Sequence, residues 1–207
     1  MLKIWGRNTS SNVQKVMWAI GELGIAHERV DVGGSFGGTK DAHYLAMNPN
    51  SLIPTLQEGD FVLWESNSIV RYLAGKHGVG TLQPADPQLA ARASQWMDWQ
   101  LSVVAGAIRD AFWGLIRTPE AQRDHAAIAR SQAATTEAMR LLDEALGKHA
   151  FVAGDAFSMG DIPVGVMAYR FRKLVPERPA LPNLERWYAA LEGRKAFQQH
   201  VGAIALT

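Results

Sequence analysis

The 207-residue chain contains no cysteine. Disulfides, thiolate metal ligands and a cysteine nucleophile are therefore excluded. It also lacks an excess of either charge: 21 basic residues stand against 20 acidic ones, a formal net of +1, with no block of like charge. Nothing in that balance calls for nucleic acid or another polyanion as a partner. No apolar run approaches a membrane span, and Met1-Leu2-Lys3-Ile4-Trp5 reads as a strand rather than the core of a signal peptide. A cytoplasmic location without a membrane partner is expected. The six histidines, at 27, 43, 77, 125, 149 and 200, are scattered without ligand spacing, so no metal is expected. Gly33, Gly34, Gly37 and Gly38 fit neither G-x-G-x-x-G nor G-x-x-x-x-G-K-[ST], which removes nucleotide binding.

What is present is a globular composition, 47% hydrophobic, in a chain long enough for two small domains. Leu2 to Trp5 reads as a strand. Val13, Val16, Ile20 and Leu23 then recur at helical spacing, Gly24 ends that helix, and His27 to Val32 alternates as a second strand, parallel to the first. A mobile glycine loop and a short helix around Asp41 to Met47 follow. Thr55 to Gln57 and Phe61 to Trp64 form a hairpin around Glu58-Gly59-Asp60, and Ser66 to Lys76 is a helix with Ile69 and Leu73 inward. Gly78 to Pro87 separates this mixed region from one without strands. Beyond it, Leu89 to Ile116 reads as a long helix on which Trp99, Val103, Gly106 and Trp113 share a face, broken by Arg117-Thr118-Pro119. Ile128, Thr135, Met139, Leu142 and Leu146 mark a second long helix. Ser158-Met159-Gly160-Asp161 has the form of a capping box before the apolar run Ile162 to Phe171, and its two polar residues are read as capping groups, not catalytic ones. Leu184 to Leu191 and Lys195 to His200 complete the helices.

The densest chemistry lies in Asn48-Pro49-Asn50-Ser51-Leu52-Ile53-Pro54-Thr55-Leu56 and in Trp64-Glu65-Ser66-Asn67-Ser68-Ile69. Pro54 opens a strand, a position where proline is tolerated, and a cis Ile53-Pro54 bond is expected. The main chain of Ile53 would then be free to pair with an extended peptide laid along the sheet edge. Ser66 stands at a helix start, where its hydroxyl and the first free amides suit a carboxylate, and Glu65 adds a charge for an ammonium group. A peptide-like ligand with a free amino acid at one end satisfies all of these, and glutathione fits that description.

The order and spacing of these residues resemble the cytosolic glutathione transferase family, and the resemblance extends over nearly the full length, including Ser158-x-x-Asp161. It resembles a bacterial, serine- or theta-like form rather than a tyrosine or cysteine type. The fold this implies is α/β plus all-α: a thioredoxin-like βαβαββα domain at residues 1–77, a linker at 78–87, and an all-helical domain at 88–207 that contributes the electrophile site. Activity in such a protein needs the glutathione sulfur as a thiolate, stabilised by a donor after the first strand. With no cysteine, and with Tyr44 far from that loop, the candidates are Thr9, Ser10, Ser11 and Asn12. Ser10 is placed first, at the entry to a helix, and Asn12 second, through its amide. Glutathione itself would be held by Ile53, Pro54, Glu65 and Ser66, with Lys40 meeting the glycyl carboxylate. Arg109, Phe112 and Trp113 would face a small-molecule electrophile between the domains, with Arg109 suited to an acidic substituent.

The expected function is conjugation of the glutathione thiolate to small apolar electrophiles. Peroxide reduction, disulfide reduction or isomerisation would use the same residues, and a non-catalytic glutathione-binding module is the alternative from another class. A homodimer is expected from the resemblance.

Overall fold

The computed structural model describes residues 1–207. Strand β1 (Leu2–Trp5) turns Leu2 and Ile4 into the core, and β2 (His27–Val30) lies parallel to it in the register Leu2 to His27 and Trp5 to Val30. A parallel pair needs a crossover, and helix α1 (Ser11–Leu23) supplies it. The short helix α2 (Ala42–Met47) leads to β3 (Thr55–Glu58), antiparallel to β1, and on to β4 (Phe61–Trp64), antiparallel to β3. The strand order is β2-β1-β3-β4, with α3 (Ser66–His77) following. The second strand stops two residues earlier than its β-branched pattern suggests. The glycine stretch after it forms a short 3-10 turn at Gly34–Phe36.

The remainder is helical. Helix α4 (Pro87–Trp99) starts on proline with Asp86 as its cap, the carboxylate accepting from the amides of Gln88 and Leu89. The rod does not continue as one regular helix to Ile116. It passes through a π-helical stretch at Gln100–Val104, a single turn α5 (Ala105–Ala107), a break at Ile108, a turn α6 (Arg109–Phe112), and a second π stretch at Trp113–Arg117. Each π turn rotates the side chains beyond it relative to a regular helix. The buried stripe, Ala93, Met97, Gln100, Val104, Ile108 and Ala111, nevertheless keeps the regular steps of three and four through the first π stretch, whereas Val103 and Trp113, expected to share a face with Trp99, are 43% and 55% exposed.

Helix α7 (His125–Leu146) buries Ile128, Thr135, Met139, Leu142 and Leu146. Helix α8 (Asp161–Leu174) is the hub of the helical domain, and α9 (Pro182–Glu192) and α10 (Lys195–Phe197), the latter running into a π turn at Gln198–Gly202, close it. The capping box at α8 forms: Asp161 Oδ2 accepts from the Ser158 amide at 2.8 Å, and Ser158 Oγ accepts from the Gly160 amide at 3.3 Å. Asp161 Oδ1 also accepts from the Val152 amide at 3.0 Å and Trp187 Nε1 at 2.8 Å, tying the loop and α9 to this one carboxylate.

Helix α1 holds the halves together. Every residue from Val13 to Ile20 is buried, because α3 packs on one side of the helix and α8 and α10 on the other. Trp18 stacks against Phe197 and Phe157 with centroids at 4.9 and 5.7 Å. Gly165 of α8 crosses there, and a Cβ on it would lie 2.9 Å from the Trp18 ring, so only glycine lets the two helices meet.

Candidate functional site

Two hollows meet beside the N-terminal end of α1. The smaller, about 40 Å³, is lined by Asn12, Asn48, Asn50, Leu52, Ile53, Pro54, Trp64, Glu65 and Ser66. It brings together Ile53, Pro54, Glu65 and Ser66 from two separate stretches of sequence. The Ile53-Pro54 bond is cis. Behind it, the Leu52 carbonyl accepts from Tyr44 Oη at 2.6 Å and Asn48 Nδ2 at 2.8 Å, while the N–H and carbonyl of Ile53 take no hydrogen bond within the chain. These free groups are not on a sheet edge, since β3 lies between β1 and β4. They lie just before β3 begins, so a peptide would pair with a short loop rather than extend the sheet.

Glu65 occupies the cap position of α3 at φ 72°, a left-handed conformation unusual for a side-chain-bearing residue and costing about 1–3 kcal/mol where it persists. No side chain caps this helix. The amides of its first turn lack intrahelical partners and remain available to an anion. Ser66, 4% exposed, does not cap either; its hydroxyl reaches Asn12 Oδ1 at 3.4 Å. Lys40 is exposed on the loop before α2 and lines neither hollow.

The larger hollow, about 470 Å³, opens between the sheet domain and the helices. Its walls include Thr9 and Ser10 from the loop after β1, Ser11 and Asn12 from the first turn of α1, Leu52 and Ile53, and Arg109, Phe112 and Trp113 from the broken helix. Both π stretches contribute: Gln100 and Leu101 from the first, Trp113 and Arg117 from the second. Ser10 sits in the cap position of α1 at φ −77°, ψ 124° yet makes no capping bond, so its hydroxyl is unengaged. The Thr9 hydroxyl, by contrast, is taken by Arg7 Nη1.

Sequence reasoning missed Lys15. This lysine is 0% exposed, and its ammonium donates to Asn12 Oδ1 at 3.0 Å and Gln100 Oε1 at 2.7 Å. Burial, reinforced by the charge on Arg170 and opposed by that on Glu65, holds the amine down to about 7. The protonated amine only donates, so the oxygen of Asn12, which also accepts from Ser66, faces it and the amide NH₂ faces away. Its one sequence signal is a charge amid Val13, Val16 and Ile20, which an ordinary amphipathic helix would place on an exposed face and which this helix, buried from Val13 to Ile20, does not. Arg7, Arg117, Met167 and Arg170 also line the cleft and were not singled out. Arg170 did have a signal, a charge inside the otherwise apolar run of α8.

Comparison with known proteins follows the same division. The family model described as "Glutathione S-transferase, N-terminal domain" matches residues 9–76, and that described as "Glutathione S-transferase, C-terminal domain" matches residues 126–190. The chain is 41% identical over 203 residues to "Glutathione S-transferase GstB" of Escherichia coli strain K12, covering 97% of this chain and 98% of that protein. It is 30% identical to "Glutathione S-transferase 3" of Zea mays, over 99% and 95% of the two chains. Among solved structures, a theta class glutathione S-transferase from Xanthomonas axonopodis pv. citri with glutathione bound superposes with a TM-score of 0.95 at 48% identity, covering 100% of this chain and 99% of that one.

Proposed function

Because the chain belongs to the glutathione S-transferase family and is a glutathione transferase enzyme, we propose that it holds glutathione across the smaller hollow and delivers the sulfur into the larger one. The carrying observation is that Asn12, Leu52 and Ile53 line both hollows. A ligand whose γ-glutamyl end meets Glu65, Ser66 and the free amides of α3 would lay its cysteinyl backbone on Ile53, beside Pro54, and its sulfur next to Ser10 and Asn12.

Ser10 and Asn12 are the two neutral donors for the thiolate in this reading, the first by its unengaged hydroxyl and the second by an amide turned outward by Lys15. The electrophile enters from the side of Phe112, Trp113 and Arg109. Proximity of the two bound partners supplies much of the rate and thiolate stabilisation the remainder. The enzyme acts in the cytoplasm as a homodimer, a state supported by Phe61 and Trp64 exposed on the edge strand β4 and by the exposed Val103 of the broken helix. No helix is long and apolar enough to cross a membrane.

Calorimetric titration of Glu65→Ala with glutathione tests the assignment. Charge-assisted hydrogen bonds contribute roughly 1.5–3 kcal/mol, so binding should weaken by at least tenfold. Unchanged affinity in a folded variant refutes it.

A further inference from the structure

Four arginines line the larger cleft, Arg7, Arg109, Arg117 and Arg170, and no aspartate or glutamate does. None of the four forms a salt bridge within the chain. That concentration is not a property of the surface at large, since the whole protein carries a net charge of only +1.

Arg170 is the most informative. It is 8% exposed, stacks on the Phe112 ring at 4.2 Å, and its Nε is buried with no hydrogen-bond partner. Arg7 Nε is buried and unpartnered as well. Gly34 makes room for this side chain: it takes φ 60°, and a Cβ there would lie 2.6 Å from Arg7 Nε. Burial, with Arg117 and Arg7 nearby, lowers the Arg170 guanidinium to about 10. Arg117 is partly occupied, donating to the Thr207 carbonyl. A buried guanidinium N–H without an acceptor is costly, and an anion is a group that satisfies it; Arg170 is the stronger case, since Arg7 lacks a partner only at Nε and donates through Nη1 to Thr9.

The anion's owner follows from position. Arg109, Arg117 and Arg170 all belong to the helical domain, and no arginine lines the smaller hollow assigned to glutathione. We propose that the second substrate is an organic acid whose carboxylate or similar anionic group seats against Arg170 and Arg7, with its carbon skeleton against Phe112 and Trp113. This rests on the glutathione reading above and replaces the small apolar electrophile expected from the sequence, where only Arg109 was suited to an acidic substituent. In the reaction the glutathione sulfur forms a C–S bond to the electrophilic carbon, the leaving group departs with its bonding pair, and the thiol proton goes to solvent.

The test is a matched pair, 4-(bromomethyl)benzoate and 4-(bromomethyl)benzamide, which share a leaving group and differ in charge. After subtraction of the uncatalysed rates, the wild-type kcat/KM should favour the acid by roughly tenfold to a hundredfold, the factor expected for hydrogen bonds to a charged group. The acid-to-amide ratio should fall towards one in Arg170→Met and be partly restored in Arg170→Lys. Should Arg170→Met fail to fold, Arg7→Met should lower the same ratio. Titration of the glutathione-bound wild type with unreactive benzoate, which needs no turnover, should show binding that competes with the electrophile and not with glutathione. Equal turnover of acid and amide overturns this proposal and leaves the transferase reading standing. Benzoate competing with glutathione overturns it by assigning the arginines to glutathione's own carboxylates. Failure of the wild type to bind glutathione overturns both readings.

Discussion

Replacing Lys15 with methionine, which keeps the length and removes the amine, isolates the protonation of the one fully buried lysine. In the unfolded chain this amine holds its proton up to about 10.5, whereas in the folded protein burial and Arg170 bring it down to about 7. The full displacement corresponds to about 5 kcal/mol. The sign follows from proton counting. Between pH 7 and 10.5 the unfolded chain binds more protons at this site than the folded one, so the unfolding free energy rises with pH across that window. From pH 7 to pH 9 the contribution amounts to about 2 kcal/mol. Urea unfolding followed by tryptophan fluorescence at both pH values should therefore show wild type gaining about 2 kcal/mol relative to Lys15→Met. The comparison is between slopes, so the cost of leaving Gln100 Oε1 without its donor, common to both pH values, drops out. Equal changes in the two proteins would show that Lys15 keeps its proton through pH 9, and the account of its burial would fail.

Three further outcomes follow from the geometry. Since the Ser10 hydroxyl makes no capping bond, Ser10→Ala should leave the melting temperature nearly unchanged while raising the apparent pKa of bound glutathione and lowering turnover at pH 7, by up to about 2–4 kcal/mol in a water-poor site and less in an open cleft. Ultraviolet titration of the bound thiolate in Ser10→Ala and Asn12→Ala decides between the donors, and if neither moves, the donor is Thr9, Ser11 or a backbone amide. Asp161→Asn puts an NH₂ among the four donors that converge on this carboxylate, and should cost on the order of 3 kcal/mol or more in urea unfolding; a loss below about 1 kcal/mol would contradict its role as a structural anchor. Sedimentation at low micromolar concentration should give a dimer, and a species that remains monomeric there would overturn the homodimer assignment.

The fold was legible wherever one local signal decided the matter. Alternation and β-branching marked β1 and β2, Gly59 marked the hairpin, and the spacing of Ile128, Met139 and Leu146 marked α7. The run from Pro87 to Arg117 was only partly legible. Helical spacing correctly predicted a long rod but not the π stretches at Gln100–Val104 and Trp113–Arg117, of which a regular period of 3.6 carries no sign. The aromatic residues drew the reading to the face of Trp99, Val103, Gly106 and Trp113, while the buried stripe runs beside it through Gln100, whose period was legible but whose polarity hid that it enters the core to meet Lys15.

In the site, what was legible depended on whether a residue's meaning was local. Ile53-Pro54 and Glu65-Ser66 carry theirs in two adjacent positions, a proline entering a strand and an acid before a helix, so a linear reading reached them. Arg7, Lys15, Arg117 and Arg170 acquire theirs only through convergence from three distant stretches. Each is unremarkable in sequence, and a composition of 21 basic and 20 acidic residues shows no imbalance. The balance conceals a partition: the acids Glu22, Glu58, Glu185 and Asp98 are matched with Arg194, Lys76, Arg172 and Arg71 elsewhere on the molecule, and the cleft keeps its cations unmatched. In the proposed pose, unmatched cations in the cleft would also favour the anionic form of the sulfur whichever neutral donor touches it, because each acts through a Coulomb field that needs no hydrogen bond. A strong dedicated donor is therefore less necessary here, and the absence of cysteine and tyrosine from the loop after β1 is consistent with a thiolate stabilised by Ser10 and Asn12 within a basic cleft.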